Sequence, residues 1–219
     1  MDLLPYLYFL IPCILIGISV YFQKGSPLFL KLLPVLLIIN FVVEIIGQWV
    51  ARKYGTNTTM FNFYMPFLVT AHMFLLREMV VGKMVRKIVL NLLWLYPLIC
   101  LVNIFFIQGL NDWQSYSYLI GNLIVVGLTV YYFFELFKRP TFINLMKAPA
   151  FWICSALLFY YTCSFPFLSL VNLLGDAPLI ILNNLSVFLT LLNIMQYILF
   201  SIAFLCRVRF RKSQSAKIA

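Results

Sequence analysis

The sequence predicts an all-helical protein embedded in a membrane with seven transmembrane helices, and its composition is the first reason. Of its 219 residues, 64% are hydrophobic and only 10% are charged, and the mean hydropathy is +1.00. A soluble domain carries about a quarter charged residues. The second reason is that the apolar residues lie in continuous stretches, each long enough to cross a hydrocarbon core of about 30 Å as a helix. Continuous rather than alternating apolar residues favour helices over a barrel.

Seven apolar stretches define the predicted helices. They cover residues 2–22, 29–50, 60–81, 88–108, 116–137, 150–173 and 180–206, and a basic tail follows at 207–219. The breaks at 23–27 and 138–140 contain the glycine, proline and charged residues that are typical of turns. Since no break is long enough for a soluble domain, we expect a single transmembrane domain that acts in the membrane or at its surface.

Basic residues are distributed unequally between the two ends of these helices. With the N-terminus placed outside, only Arg52 and Lys53 of the 16 lysines and arginines lie on the outer side, and the other fourteen lie inside. Short cytoplasmic loops of membrane proteins carry the excess of basic residues. We therefore expect an outer N-terminus and a cytoplasmic C-terminus. The net charge of +10 is then loop charge beside the lipid bilayer and not a nucleic-acid-binding surface.

Polar side chains at membrane depth are the candidate functional residues, because they are costly there and normally face the bundle interior. Asn40, Glu44 and Gln48 recur every four residues and therefore share one face of the second helix. Counting 1.5 Å per residue along the other helices places five further candidates at similar depths: His72, Asn103, Asn122, Thr190 and Asn193. We predict that these eight residues line a pocket for a small molecule or an ion. The alternative is that they hold the bundle together by hydrogen bonds between helices.

Glu44 is the candidate that a structural role explains least well, because a neutral amide could make the same hydrogen bonds. In a pocket it would attract a cation or exchange a proton. One histidine, His72, and one carboxylate at membrane depth are too few ligands to predict a metal site, and they form no catalytic triad. The five cysteines are scattered and form no CxxC pair. We therefore expect no metal, no cofactor and no catalytic residue, and we favour a binding protein over an enzyme.

An internal repeat is predicted from similar segments in the two halves of the chain. The segments 17–21 (GISVY) and 127–131 (GLTVY) are each followed by a basic turn and by Pro-x-Phe, at 27–29 and 140–142. Farther along, His72 aligns with Asn193. These pairs indicate that helices 1–3 and 5–7 are parallel repeats, with helix 4 as a linker. The arrangement resembles the three-plus-one-plus-three architecture of SWEET and PQ-loop transporters, and this resemblance implies transport.

Two further resemblances leave other functions open. The segments 67–72 (FLVTAH) and 193–197 (NIMQY) resemble lysoplasmalogenase-type membrane hydrolases, which implies a hydrolase acting on lipid, with Glu44 and His72 as its reactive residues. Those enzymes carry aspartates inside their helices, whereas the aspartates of this chain lie between the predicted spans (Asp112 and Asp176) or at the very start of the first (Asp2). The chain also resembles uncharacterised seven-helix membrane proteins of bacteria, which implies the bacterial inner membrane. A sensory or accessory subunit, a homo-oligomer or a structural subunit of a membrane complex also remains an alternative.

Overall fold

The computed structural model describes residues 4–138, 144–169 and 179–215, and within these ranges the chain forms seven long α-helices and no strand. The helices are α1 (Leu4–Tyr21), α2 (Leu28–Tyr54), α3 (Thr58–Met79), α4 (Lys83–Val102), α5 (Ser115–Phe137), α6 (Pro149–Ser169) and α7 (Leu179–Ser215). A π-helical segment, Asn103–Ile107, extends α4, and a 3-10 turn, Leu145–Lys147, precedes α6. The predicted all-helical class is confirmed.

The helix ends differ from the predicted boundaries where the local sequence explains the difference. α2 continues past residue 50 to Tyr54 and ends at Gly55, whose φ of +81° gives the left-handed cap that favours glycine. α7 continues to Ser215, so the basic segment that was predicted as a tail begins as helix. No glycine or proline interrupts residues 207–215, and a helix can therefore continue beyond its apolar part.

Within the described part of the chain, six helices are long and apolar enough to cross a membrane. They are Leu28–Tyr54, Thr58–Met79, Lys83–Ile107, Ser115–Phe137, Pro149–Ser169 and Asn184–Val208. The apolar part of α1, Tyr6–Tyr21, is shorter, at about 24 Å. Large apolar side chains also cover the outside of the bundle: Trp94 is 81% exposed and Phe106 is 83% exposed. Lipid stabilises such a surface and water does not, so the outside of the bundle is consistent with a membrane protein.

Among the described residues, six helices form a closed ring and one helix lies outside it. Each helix of the ring packs against the next in the order α1, α2, α3, α5, α6, α7, and α7 returns to α1. α4 lies outside the ring, where it packs mainly on α3. Gly121 of α5 permits this close packing, because a Cβ there would lie 2.8 Å from Val69 Cγ1 and also against Tyr96.

The carboxylate of Glu135 binds the start of α4. Its two oxygens accept hydrogen bonds from the backbone N–H groups of Val81 and Gly82, at 2.8 and 2.7 Å. The first N–H groups of a helix have no partner within the helix, and the helix dipole favours a negative charge at that end. Glu135 thus fixes α5 against the α3–α4 turn. Lys138, three residues after Glu135, lies over the ring of Phe134 with its Nζ atom 4.1 Å from the ring centroid.

Two other interactions join elements at the same end of the bundle. Glu78 pairs with Arg77 at 2.6 Å and with Arg86 at 3.4 Å, and the second pair connects α3 with α4. Arg207 of α7 donates a hydrogen bond to the carbonyl oxygen of Gly25 at 2.6 Å. This bond links the last helix to the turn between α1 and α2, where the ring closes.

Candidate functional site

A cavity of about 530 Å³ lies inside the ring. This volume falls within the range of about 300–1,000 Å³ that is usual for small-molecule pockets. Side chains of α1, α2, α3, α6 and α7 line it, together with Trp113 from the connection between α4 and α5. Its polar lining consists of Asn40, Glu44, Gln48, Arg52, Asn57, His72, Asn193 and Gln196, and its aromatic lining of Tyr6, Phe61, Tyr64, Trp113, Tyr160, Tyr197 and Phe200.

One face of α2 forms a continuous wall of the cavity. Residues three or four apart in a helix lie on the same face, and this wall contains Leu33, Leu37, Asn40, Glu44, Gln48 and Arg52 in that order. The row extends over roughly 28 Å of helix, nearly the thickness of the hydrocarbon core. Its first part is apolar and its last part is polar. The cavity therefore has an apolar end near Leu33 and a polar end near Arg52.

The polar end is fixed by the connection between α4 and α5. The amide nitrogen of Asn62 donates hydrogen bonds to the carbonyl oxygens of Leu110 and Asp112, at 3.0 and 2.8 Å. The indole N–H of Trp113 donates to the carbonyl oxygen of Leu168 at 3.0 Å. These bonds attach the connection to α3 and α6, and they hold the Trp113 ring at the edge of the cavity.

Glu44 lies in the middle of this wall and is the only carboxylate that lines the cavity among the described residues. No lysine or arginine nitrogen of the described residues lies within 4 Å of the Glu44 carboxylate oxygens. The hydroxyl of Tyr6 lies beside the carboxylate, and Tyr64, Tyr160 and Tyr197 lie within electrostatic range of it. Tyrosines from four different helices thus surround one carboxylate that has no counter-ion from the described residues.

Tyr6 has a polar group that the described protein atoms leave unsatisfied. The side chain is only 4% exposed, and its hydroxyl makes no hydrogen bond with any described residue, although it lies beside Glu44. The ring packs 6.3 Å from the ring of Tyr197, centroid to centroid, which fixes its position. Leaving a buried hydroxyl unpaired costs about 1–3 kcal/mol. A ligand in the cavity could supply the missing partner.

Asn40 connects two helices across the cavity. Its amide nitrogen donates to the Tyr197 hydroxyl at 3.0 Å, and its amide oxygen accepts a hydrogen bond from the Tyr64 hydroxyl at 2.8 Å. α2 is thereby joined to α3 and α7, and the two tyrosine rings are held beside Glu44. Asn40 therefore positions the aromatic residues around the carboxylate.

His72 lines the cavity on α3, but Tyr161 is its hydrogen-bond partner. The Nδ1 atom and the Tyr161 hydroxyl are 2.8 Å apart, and the two rings meet edge to face at 5.7 Å between centroids. His72 is nearly fully buried, and no carboxylate of the described residues interacts with its ring. The described residues thus contain no Glu44–His72 acid–base pair.

The structure places five of the eight predicted residues around the cavity. They are Asn40, Glu44, Gln48, His72 and Asn193. Binding of a ligand by these residues stays a prediction. Among the described residues, no group of three or more histidine, cysteine, aspartate or glutamate side chains lies together.

The other three predicted residues do not line the cavity and make hydrogen bonds elsewhere. Asn103 is buried at the start of the π-helical segment, where its amide nitrogen contacts the side-chain oxygen of Gln114 at 2.6 Å. Asn122 donates to the carbonyl oxygen of Tyr161 at 2.8 Å and so joins α5 to α6. Thr190 donates to the carbonyl oxygen of residue 186 in its own helix at 2.9 Å. The structural alternative, hydrogen bonds between helices, describes the contact of Asn122. Asn103 instead bonds the connection that leads into α5, and the bond of Thr190 stays within α7.

Sequence reasoning missed Tyr6, Tyr64 and Gln196 as lining residues. Tyr64 lies eight residues before His72, with Leu68 between them, so the helical row could have revealed it. Gln196 immediately precedes Tyr197 on α7. Tyr6 gives no such signal, because it lies in a uniformly apolar helix whose cavity-facing side depends on its neighbours.

Comparisons with known proteins identify no relative: no protein-family model matches the chain, and no curated protein or solved structure matches it. The resemblances to transporters and to membrane hydrolases therefore remain expectations. What the site does has to be argued from its own geometry.

Proposed function

We propose that the chain is an integral membrane protein that binds a small molecule in the central cavity, as a transporter or as a sensory or accessory subunit. The observation that carries this proposal is Glu44, a carboxylate that lines a cavity of about 530 Å³ without a basic partner from the described residues. A charged side chain at the centre of a membrane helix costs about 2.5–3.5 kcal/mol on insertion scales. Binding a ligand gives such a costly group a role that a neutral amide would not fill.

The proposed topology has seven membrane crossings, with the N-terminus outside. α1 is the seventh crossing, because it lies in the ring between α2 and α7 and lines the cavity through Tyr6. The unequal distribution of basic residues supports this orientation. In this orientation the polar end of the cavity, at Arg52 and Asn57, faces outward. A bacterial inner membrane is the proposed location.

The helix order supports the proposed duplication. In the ring α1, α2, α3, α5, α6, α7, each helix of the first triplet lies opposite its counterpart in the second, as a two-fold repeat requires. His72 and Asn193, which align in the sequence, both line the cavity. Pro34 and Pro149, which also correspond when the two triplets are aligned, differ in setting, since Pro34 lies inside α2 and Pro149 begins α6. The support therefore comes from helix order more than from local structure.

Cysteine labelling in intact cells tests the cavity and its orientation. In a cysteine-free background, Gln48→Cys should react with a small membrane-impermeant thiosulfonate added outside, because residue 48 lines the cavity. Ile46→Cys is the matched control. Residue 46 lies two residues from residue 48 and faces the outside of the bundle, where the Ile46 side chain is 46% exposed, so the cysteine should be covered by lipid and stay unreacted. Asn111→Cys, in the connection between α4 and α5, should react as the outer-surface control. Protection of residue 48 while residue 111 reacts would contradict an outward-open cavity.

Uptake separates a transporter from a sensory or accessory subunit. Proteoliposomes containing the purified chain should accumulate a ligand that binds the cavity if the protein is a transporter. Binding without accumulation would identify a sensory or accessory role. No contact among the described residues favours a hydrolase, because Glu44 and His72 do not pair.

A further inference from the structure

The residues around Glu44 specify the chemistry of the ligand, and this inference rests on the proposed binding function. Tyr6 of α1, Tyr64 of α3, Tyr160 of α6 and Tyr197 of α7 all lie close enough to interact with the carboxylate. All four line the same cavity. Two of the rings are held in place, because Asn40 hydrogen-bonds the hydroxyls of Tyr64 and Tyr197. The arrangement is an aromatic cage around one negative charge.

This cage suits a cation, and several features favour an organic one. Aromatic faces attract ammonium groups through their quadrupole, and the attraction is stronger where water is excluded. Calcium would need six to eight oxygen ligands, whereas the described lining contains a single carboxylate. The cavity is also far larger than a bare ion. The buried Tyr6 hydroxyl lacks a hydrogen-bond partner among the described residues, and the N–H of an amine would supply one.

We propose that the cavity binds an organic cation whose protonated amine pairs with Glu44 among the four tyrosines and whose apolar part extends toward Leu33. The amine donates one hydrogen bond to the Glu44 carboxylate and one to the Tyr6 oxygen. The apolar end of the cavity, lined by Leu33, Leu37 and Phe200, then receives a hydrocarbon or aromatic group.

Arg52 does not oppose this assignment. It lies on the same face of α2 as Glu44 but two turns away, about 12 Å along the helix axis. Its side chain is exposed at the edge of the cavity, and a Debye length of about 8 Å at physiological salt screens its charge. Glu44, in contrast, lies among buried rings where screening is weak. The carboxylate therefore dominates the electrostatics at the cage.

Three ligands that share one framework test the proposal on the purified full chain in a neutral detergent. Phenylpropylamine is a cation at neutral pH, phenylpropanol is uncharged and phenylpropionate is an anion. Calorimetry should give the amine a Kd at least about 10-fold lower than that of the alcohol, because the uncharged alcohol leaves the Glu44 carboxylate without a charged partner. Phenylpropionate should bind more weakly than the alcohol. Equal affinity of amine and alcohol, or tightest binding of phenylpropionate, would overturn the proposal.

Variants of Glu44 and Tyr6 test whether the preference for the amine comes from the aromatic cage. Glu44→Gln should remove the preference for the amine over the alcohol. Glu78 does not line the cavity, so the control variant Glu78→Gln should leave that preference unchanged. Tyr6→Phe keeps the aromatic face and should weaken amine binding less than Tyr6→Leu, for which a lost cation–π contact predicts roughly a 2- to 30-fold loss. A preference that persists in Glu44→Gln refutes the assignment to this site.

The two proposals fail differently. If residue 48 is labelled from outside but the amine and the alcohol bind with equal affinity, the outward-open cavity is supported and the proposed ligand class is wrong. If residue 48 is protected, the outward-open cavity is wrong, and the ligand proposal fails with it.

Discussion

Replacing Gly121 in α5 by alanine should separate α5 from the two helices that pack on it. A Cβ at this position would lie 2.8 Å from Val69 Cγ1 of α3 and 2.8 Å from Tyr96 Cζ of α4. Real Cβ atoms essentially never approach other atoms within 3.0 Å, so one of the three helices has to move. Tyr96 cannot simply rotate away, because it is 1% exposed and its hydroxyl donates to the carbonyl oxygen of Ser117 at 3.1 Å.

The size of the effect follows from three contributions. Overpacking a tightly packed site costs about 1–3 kcal/mol. Losing the hydrogen bond of Tyr96 costs about 1 kcal/mol more. The higher helix propensity of alanine offsets up to about 1 kcal/mol of this loss in stability. We therefore expect a net loss of about 1–4 kcal/mol, which for a chain of this size lowers the Tm by roughly 2–4 °C for each kcal/mol.

Gly127 is the matched control in the same helix. A Cβ there would meet no atom within 4 Å, so Gly127→Ala gains helix propensity without a clash and should raise the Tm by up to about 4 °C. Unfolding can be followed with a thiol-reactive fluorescent dye, because Cys13, Cys100 and Cys154 are buried in the folded protein. Equal Tm values for the two variants would refute the packing of α3, α4 and α5 around Gly121.

Two further substitutions test the contacts that assemble the ring and fix its outer helix. Glu135→Ala should lower stability by about 1–3 kcal/mol in the same assay, because the N–H groups of Val81 and Gly82 lose their acceptors, and an unchanged Tm would contradict this capping role. Asn40→Leu should cost about 1 kcal/mol, at ~0.6 kcal/mol for each of two hydrogen bonds between membrane helices. It should also weaken amine binding, since two cage rings lose their support, and full retention of affinity would argue against a positioning role for Asn40.

The sequence by itself determined the helices. The hydrophobic residues, 64% of the chain, lie in continuous rather than alternating stretches, so the backbone satisfies its hydrogen bonds in lipid within helices and not in a barrel. Periodicity then placed Asn40, Glu44 and Gln48 on one face of α2, where the structure has them lining one cavity. Relations within a single helix depend on 3.6 residues per turn and on nothing else in the molecule.

Only the tertiary structure decided which helix faces meet. The sequence predicts depths for Asn103 and Asn122 similar to that of Glu44, but depth does not specify the direction of a side chain around the bundle. Because α4 lies outside the ring, Asn103 faces the connection to α5, and Asn122 faces α6. The same packing brings Tyr6, from a helix with no polar stripe, beside Glu44.

For Glu44, the sequence determines the energetic cost of the charge, and the tertiary structure determines which residues surround it. Its cost at membrane depth follows from the sequence, since a carboxylate in a hydrophobic helix has to avoid lipid. Its surroundings do not, because the four tyrosines come from four helices whose order around the ring is set by non-local packing. Spacing along the chain fixes which residues share a helix face, whereas the partners of that face depend on how all seven helices pack together.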